Sequence, residues 1–300
     1  MRLGLGEQIT NSVKEATLQV KGAEGIPLNE QMKNITQKTI EYFLTGAKFM
    51  FFQRSLLIGG NLCRIAEVEF YRTPDPFIHG DIDQQMSSNC FYFHKNGGTY
   101  KNGTFKGLDI TMGDGQVYAS MLIRSIMTPD GFIEGPCNVV DYILKKNGKA
   151  KIEDLIGTIS PPSLPISVYF QNNFLMLISA NHTETKVYNG PRVGLSLKKE
   201  KEVFGLRSHY VMKEFRFTCF PKMIKKDRNM LVVAARFKGI PDNVIIEDFA
   251  LQPSLLGKWV TQFIKGKDLY IEYFLTEDNR KLDKANIQLQ AYGFFSQLDQ

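Results

Sequence analysis

The stretch Arg64-Ile-Ala-Glu-Val-Glu-Phe-Tyr71 decides how the rest of the chain is read. Successive side chains of a strand point to opposite faces, so Val68 and Phe70 share one face and Glu67, Glu69 and Tyr71 the other. The first face is core. The second carries two carboxylates and a phenol, either as the solvated side of an antiparallel strand or as the lining of a site. The exit loop Arg72-Thr-Pro-Asp-Pro-Phe-Ile-His79 can return an imidazole to the face of Glu69 and Tyr71, which favours the site.

Working outward, Gly59-Gly60-Asn61 reads as a hairpin turn, so residues 47–71 are expected to form two strands. Before them, Met32, Ile35, Ile40, Phe43 and Leu44 approximate helical spacing over residues 29–44, with Asn29 as N-cap and Gly46 as the terminator. Residues 1–27 contain Gly4, Gly6, Gly22, Gly25 and Pro27 and read as an N-terminal arm. Downstream, residues 89–111 are dense in glycine and aromatics, the composition of short strands and tight turns. Asp109 in that segment reads as a turn residue paired with Lys106, or else as a second site carboxylate; His94 reads as a partly buried structural histidine.

Residues 117–126 form an apolar strand interrupted by Arg124. That arginine either sits at a strand end on the surface or is buried and needs a partner, because an unpaired buried charge is strongly disfavoured. Gly135-Pro136 opens a predicted helix through Leu144, ended by Asn147-Gly148. A proline-rich linker, Ser160-Pro-Pro-Ser-Leu-Pro165, precedes predicted strands at 166–170 and 174–178, and the turn Asn189-Gly-Pro-Arg192 delivers a second arginine. Beyond residue 223, strands are expected at 230–237, 269–274 and 287–292, with a helix over 255–264.

Three hundred residues with 43% apolar content can bury a sizeable core, in one large domain or two small ones. The apolar runs over residues 42–52 and 55–58 are broken by Lys48, Gln53 and Arg54, short of the roughly 20 residues a membrane span needs, so a soluble protein with no membrane partner is expected. The first residues lack the apolar core of a secretory signal, which implies an intracellular location. Cys63, Cys90, Cys137 and Cys219 lie far apart without paired metal-ligand spacing and read as buried thiols; no metal or cofactor is expected. A net charge of +6 and a pI near 9.0 suit a polyanionic partner, although basic surfaces also serve solubility.

Taken in order, four stretches resemble the alkyladenine (3-methyladenine) DNA glycosylase family. They are Arg64 to Tyr71 with Asp75-Pro-Phe-Ile-His79; Met121-Leu-Ile-Arg-Ser-Ile-Met-Thr-Pro-Asp-Gly131; Gly135-Pro-Cys before a helix; and Gly190-Pro-Arg-Val-Gly-Leu195 followed by Phe215-Arg-Phe217. The match covers about residues 35–220. The resemblance implies an α+β fold, a single curved, mostly antiparallel sheet with flanking helices. It also implies that a nucleotide is flipped out of a duplex and its N-glycosidic bond hydrolysed, with no metal. Glu69 then corresponds to the glutamate that activates water, Arg124 to the arginine beside it, and Tyr71 and His79 to walls of the base pocket. Tyr100 and Phe105 correspond to aromatics of the loop that inserts into DNA, with Asn102 in the middle position, and Arg192 is a further substrate-binding candidate.

These readings predict a monomer with an arm over 1–27, a glycosylase-like domain over 28–222 and a C-terminal extension over 223–300 on the same core. The expected activity is base excision of a modified purine from DNA. The alternatives are a catalytically silent nucleic-acid-binding homologue, or an N-glycosidase acting on RNA, hypermodified bases or nucleosides.

Overall fold

The computed structural model describes residues 28–113, 118–159, 166–168, 173–200 and 205–299. The expected arm, the proline-rich linker and Val117 lie outside them. The fold is α+β, with a single large curled antiparallel sheet and flanking helices, as the sequence predicted. The described chain divides into two compact units, one built on Lys38–Thr73 and Ile78–Lys186, the other on the described part of Ile26–Gln37 with Pro74–Phe77 and Val187–Gln300.

A helix, α1 (Leu28–Gln53), whose residues from Lys38 onward belong to the first unit, leads into the hairpin β1 (Arg54–Ile58) and β2 (Asn61–Arg72). A short helix α2 (Ile82–Met86) precedes β3 (Ser88–Phe93), the small pair β4 (Lys95–Asn96) and β5 (Thr99–Tyr100), and then β6 (Leu108–Met112). Strands β7 (Ala119–Thr128) and β8 (Gly131–Glu134), helices α3 (Pro136–Lys146) and α4 (Ile152–Ile159), and strands β9 (Ile166–Ser167) and β10 (Leu175–Ser179) complete it. The strand order is β10-β1-β2-β7-β6-β3-β9, with β8 on β7, and every pair is antiparallel.

Helix α1 does not stop at Gly46, and residues 47–53 are helical where a strand was predicted. Phe43, Ala47, Met50 and Phe51 recur at helical spacing and are all buried. A mid-helix glycine costs roughly 0.5–1 kcal/mol, whereas burying one large apolar side chain returns about 1.5–3 kcal/mol, so the helix continues. Its Phe43 stacks on Phe70 of β2, ring centroids 4.3 Å apart and planes 10° from parallel. Phe70 begins a cross-strand row with Met121, Ile110 and Phe91, all buried, which is the core side of the sheet.

The second unit pairs β11 (Tyr188–Gly190) with β12 (Arg216–Thr218) and is otherwise helical. Its helices are α5 (Leu206–Tyr210), α6 (Arg228–Phe237), α7 (Asp242–Phe249), α8 (Pro253–Lys267), α9 (Ile271–Leu275) and α10 (Ala285–Phe295). The three strands predicted beyond residue 223 are thus helices, while the helix over 255–264 lies within α8. Met230, Leu231, Val232, Val233, Ala234 and Ala235 are all buried, and an unbroken apolar run reads the same for a buried strand and a buried helix. Helices α8 and α10 meet backbone to backbone: a Cβ on Gly266 would stand 2.0 Å from the Gln290 carbonyl oxygen, and one on Gly293 1.9 Å from that of Phe263. That contact lets Phe263, Phe274, Leu289, Tyr292 and Phe295 pack into one cluster.

Candidate active site

The face of β2 opposite the core is polar by sequence yet buried in the fold. Glu67 and Glu69 have no solvent exposure, and Arg124 on β7 is 5% exposed. Strand pairing explains how the three meet. Ile65 pairs with Ile126 and Val68 with Ile123, so an undisturbed ladder would set Glu67 opposite Arg124; instead the register slips and Glu67 pairs with Ser125. Such a local irregularity re-aims side chains. Here it brings Ser125 opposite Glu67, and Ser125 Oγ donates to Glu67 Oε2, while Arg124 Nε lies 3.3 Å from Glu67 Oε1 and 3.4 Å from Glu69 Oε1. The Tyr71 hydroxyl donates to Glu69 Oε2 at 2.8 Å. Both Glu67 oxygens and Glu69 Oε2 thereby have a donor, and Glu69 Oε1 has the Arg124 charge beside it. Burial alone would pull Arg124 toward neutrality, but Glu69 and then Glu67 outweigh it and hold the guanidinium charged.

Asp109 and Glu69 are both in register with Leu122, so they lie in one row on this face, roughly 9–10 Å apart at Cα by two strand spacings. Asp109 is no turn residue: it sits inside β6, 2% exposed, and Lys106 pairs with Asp141 instead. Its Oδ1 meets His94 Nε2 at 2.8 Å, and its Oδ2 accepts from Ser120 Oγ at 2.8 Å and from Gln84 Nε2 at 2.6 Å. Burial opposes ionisation of Asp109, but His94, then the Ser120 hydroxyl and His79, hold its carboxyl below the usual range. The His94 ring lies flat on Gly107, where a Cβ would stand 2.4 Å from its Cε1, so only glycine admits it.

His79 faces His94, ring centroids 4.2 Å apart, and its Nε2 is 3.1 Å from Lys101 Nζ. The structure therefore places His79 in a cluster with His94, Lys101 and Asp109, whereas Glu69, Tyr71 and Arg124 form a group of their own. Burial first, then His94 and Lys101, push the His79 imidazole from 6.5 down to about 4. An unfolded chain would take up that proton near 6.5, before the folded chain does, so His79 costs stability as pH falls from about 6.5 toward 4. Asp109, whose folded pKa is depressed, contributes stability that is lost only at more acid pH. Urea denaturation at about pH 7 and pH 5 should show a drop in midpoint that His79→Gln reduces; an unchanged pH dependence in that variant would overturn the assignment.

The remaining candidates are Tyr100, Phe105 and Arg192. Tyr100 is half-buried on β5 with Lys95 Nζ 4.9 Å from its ring centre. Phe105 is 74% exposed at the end of a 3-10 turn, Gly103–Phe105, whose Gly103 carbonyl accepts from Cys137 Sγ at 3.0 Å. Arg192 lies in the second unit with its side chain fully buried, its Nη1 2.5 Å from Asp75 Oδ2 and its Nη2 3.2 Å from the Tyr210 carbonyl. It is engaged in holding its own unit together, a use that a turn beside an apolar strand did not reveal.

Sequence reasoning missed Ser120, Ser125, Gln84 and Lys101. The two serines had a signal: hydroxyls in an otherwise apolar strand need partners once buried. Lys101 had none. All four cysteines are free, Cys63 and Cys219 buried, the other two half-buried. Among the described residues no helix is long and apolar enough to cross a membrane, and no group of three or more histidine, cysteine or acidic side chains is arranged to hold a metal ion.

No family model matches the chain. It is similar to the uncharacterized protein L759 of Acanthamoeba polyphaga mimivirus, 36% identical over an alignment of 211 residues that covers 64% of this chain and 92% of the viral protein. With that share of the viral protein covered at that identity, the chain belongs to the family that contains L759.

Proposed function

We propose that the protein is a DNA glycosylase-like hydrolase that cleaves the N-glycosidic bond of a flipped-out modified purine. The observation that carries this reading is Glu69, buried, gripped by Tyr71 and kept beside the charged Arg124. A carboxylate within hydrogen-bond reach of a water takes its proton. The water oxygen then bonds to C1′, the proton passes to Glu69, and the C1′–N bond breaks with its electron pair leaving on the base. The likeness of the four sequence stretches to alkyladenine DNA glycosylases supports the same reading, and the net charge of +6 suits a nucleic-acid partner.

The test is release of free base from duplex and single-stranded oligonucleotides carrying alkylated or deaminated purines. Base release with an abasic product is expected. Salt-dependent DNA binding without release across the panel would replace this reading by a silent binding protein, and action confined to RNA or nucleosides would move the substrate.

Phe105 is the exposed aromatic available to fill the gap left by a flipped base. Stacking of this kind contributes about 1–3 kcal/mol, so Phe105→Ala should slow release from duplex DNA by roughly tenfold or more and leave single-stranded substrates little changed. Equal effects on both would remove Phe105 from the role.

A further inference from the structure

The Gly-rich segment after β3 carries three lysines with different surroundings. Lys95 pairs with Asp83 at 2.5 Å and Lys106 with Asp141. Lys101, between them, has no carboxylate partner among the described residues; its amine faces the His79 ring nitrogen at 3.1 Å. An ammonium ion is held weakly at that position, because the nearest negative charge, Asp109, lies behind His94 and is already tied to it, and a protonated His79 would repel it. The wall behind is rigid: His79 rests on His94, His94 is tied to Asp109, and Asp109 shares its row of the sheet with Glu69. Burial pulls the Lys101 amine below its usual value, and the side chain is only half-buried, so a substrate can reach it.

A half-buried amine with no carboxylate in ion-pair contact, facing an imidazole whose burial disfavours protonation, has the setting of a lysine that attacks carbonyl carbon. We propose that Lys101 is a nucleophile toward the aldehyde of an abasic deoxyribose in DNA, giving the protein a strand-cleaving lyase activity. The inference rests on the base-excision reading only for the source of its substrate, since removal of a base leaves a sugar whose ring-opened form exposes an aldehyde at C1′. Lys101 Nζ attacks that carbon, water leaves, and an imine forms. The C2′ proton passes to His79 Nε2, and the C3′–O bond breaks with its electron pair departing on the phosphate, which cuts the strand by β-elimination. Hydrolysis of the imine then returns the free amine.

The experiment uses the full chain with duplex DNA that already contains an abasic site, so it does not depend on base release. Sodium borohydride reduces an imine to a stable bond, and wild-type protein is expected to give a covalent protein–DNA adduct together with strand cleavage. Peptide mapping of that adduct should place the link on Lys101. Lys101→Arg keeps the positive charge but not the nucleophile and should lower adduct yield at least tenfold, while Lys145→Arg, on an exposed helix end, should not. Absence of an adduct from the wild-type protein, or an adduct mapped to another amine, overturns the proposal. Adduct without base release on the lesion panel would instead sink base excision and leave the lyase standing; base release without adduct would do the reverse.

Discussion

Replacing Glu69 by glutamine should reduce base release by about 10²–10⁴-fold, the range attributable to a positioned general base, with the fold retained. The substitution keeps the shape and leaves an amide oxygen to accept from Arg124 or Tyr71, and Glu67 remains as counter-ion to the buried guanidinium. What it removes is the ability to take a proton from water. Glu67→Gln is the paired control, because Glu67 is held by Ser125 and Arg124 and has the weaker claim to the reacting water. Single-turnover release of base would be compared for both variants, with thermal unfolding to verify the fold. If Glu69→Gln retains wild-type rates, Glu69 is not the base; if Glu67→Gln shows the larger loss, the two glutamates exchange roles.

The largest expected effect on stability comes from Arg124. Glu67 and Glu69 are both fully buried and both lean on its Nε. Arg124→Leu preserves apolar packing in β7 but leaves two like charges without their cation. Removing one partner of a buried ion pair typically costs about 3–5 kcal/mol, much of it the penalty of stranding the other charge. We expect a loss in that range by urea denaturation. A second variant separates charge from packing: Arg124→Leu combined with Glu67→Gln has one buried carboxylate in place of two and should recover part of the loss. Failure of the double variant to recover any stability would mean that the arginine acts through packing and not through its charge.

These expectations differ in how far they were legible before the fold was known. The hairpin at Gly59-Gly60, the helix opened by Pro136 and closed at Asn147, and the apolar strand around Arg124 could all be read locally. Each depends on backbone preferences of a few adjacent residues. The C-terminal segments could not, since a run such as Met230 to Ala235 buried on all sides shows no period that separates helix from strand. Gly46 misled for a related reason: its local cost was outweighed by side chains a turn away on either side.

The same division runs through the site. From the sequence alone came the alternation that puts Glu67, Glu69 and Tyr71 on one face of β2, and with it the need for a partner if that face were buried. Only the tertiary structure supplied the partner, because Arg124 lies 57 residues from Glu67 and meets it through the pairing of β2 with β7. Only the fold moved His79 beside His94 and Lys101, and turned Asp109 from a turn residue into a buried strand carboxylate. Side-chain direction follows from the two-residue period of a strand, a local property; which charges meet depends on cross-strand register, which long-range packing sets.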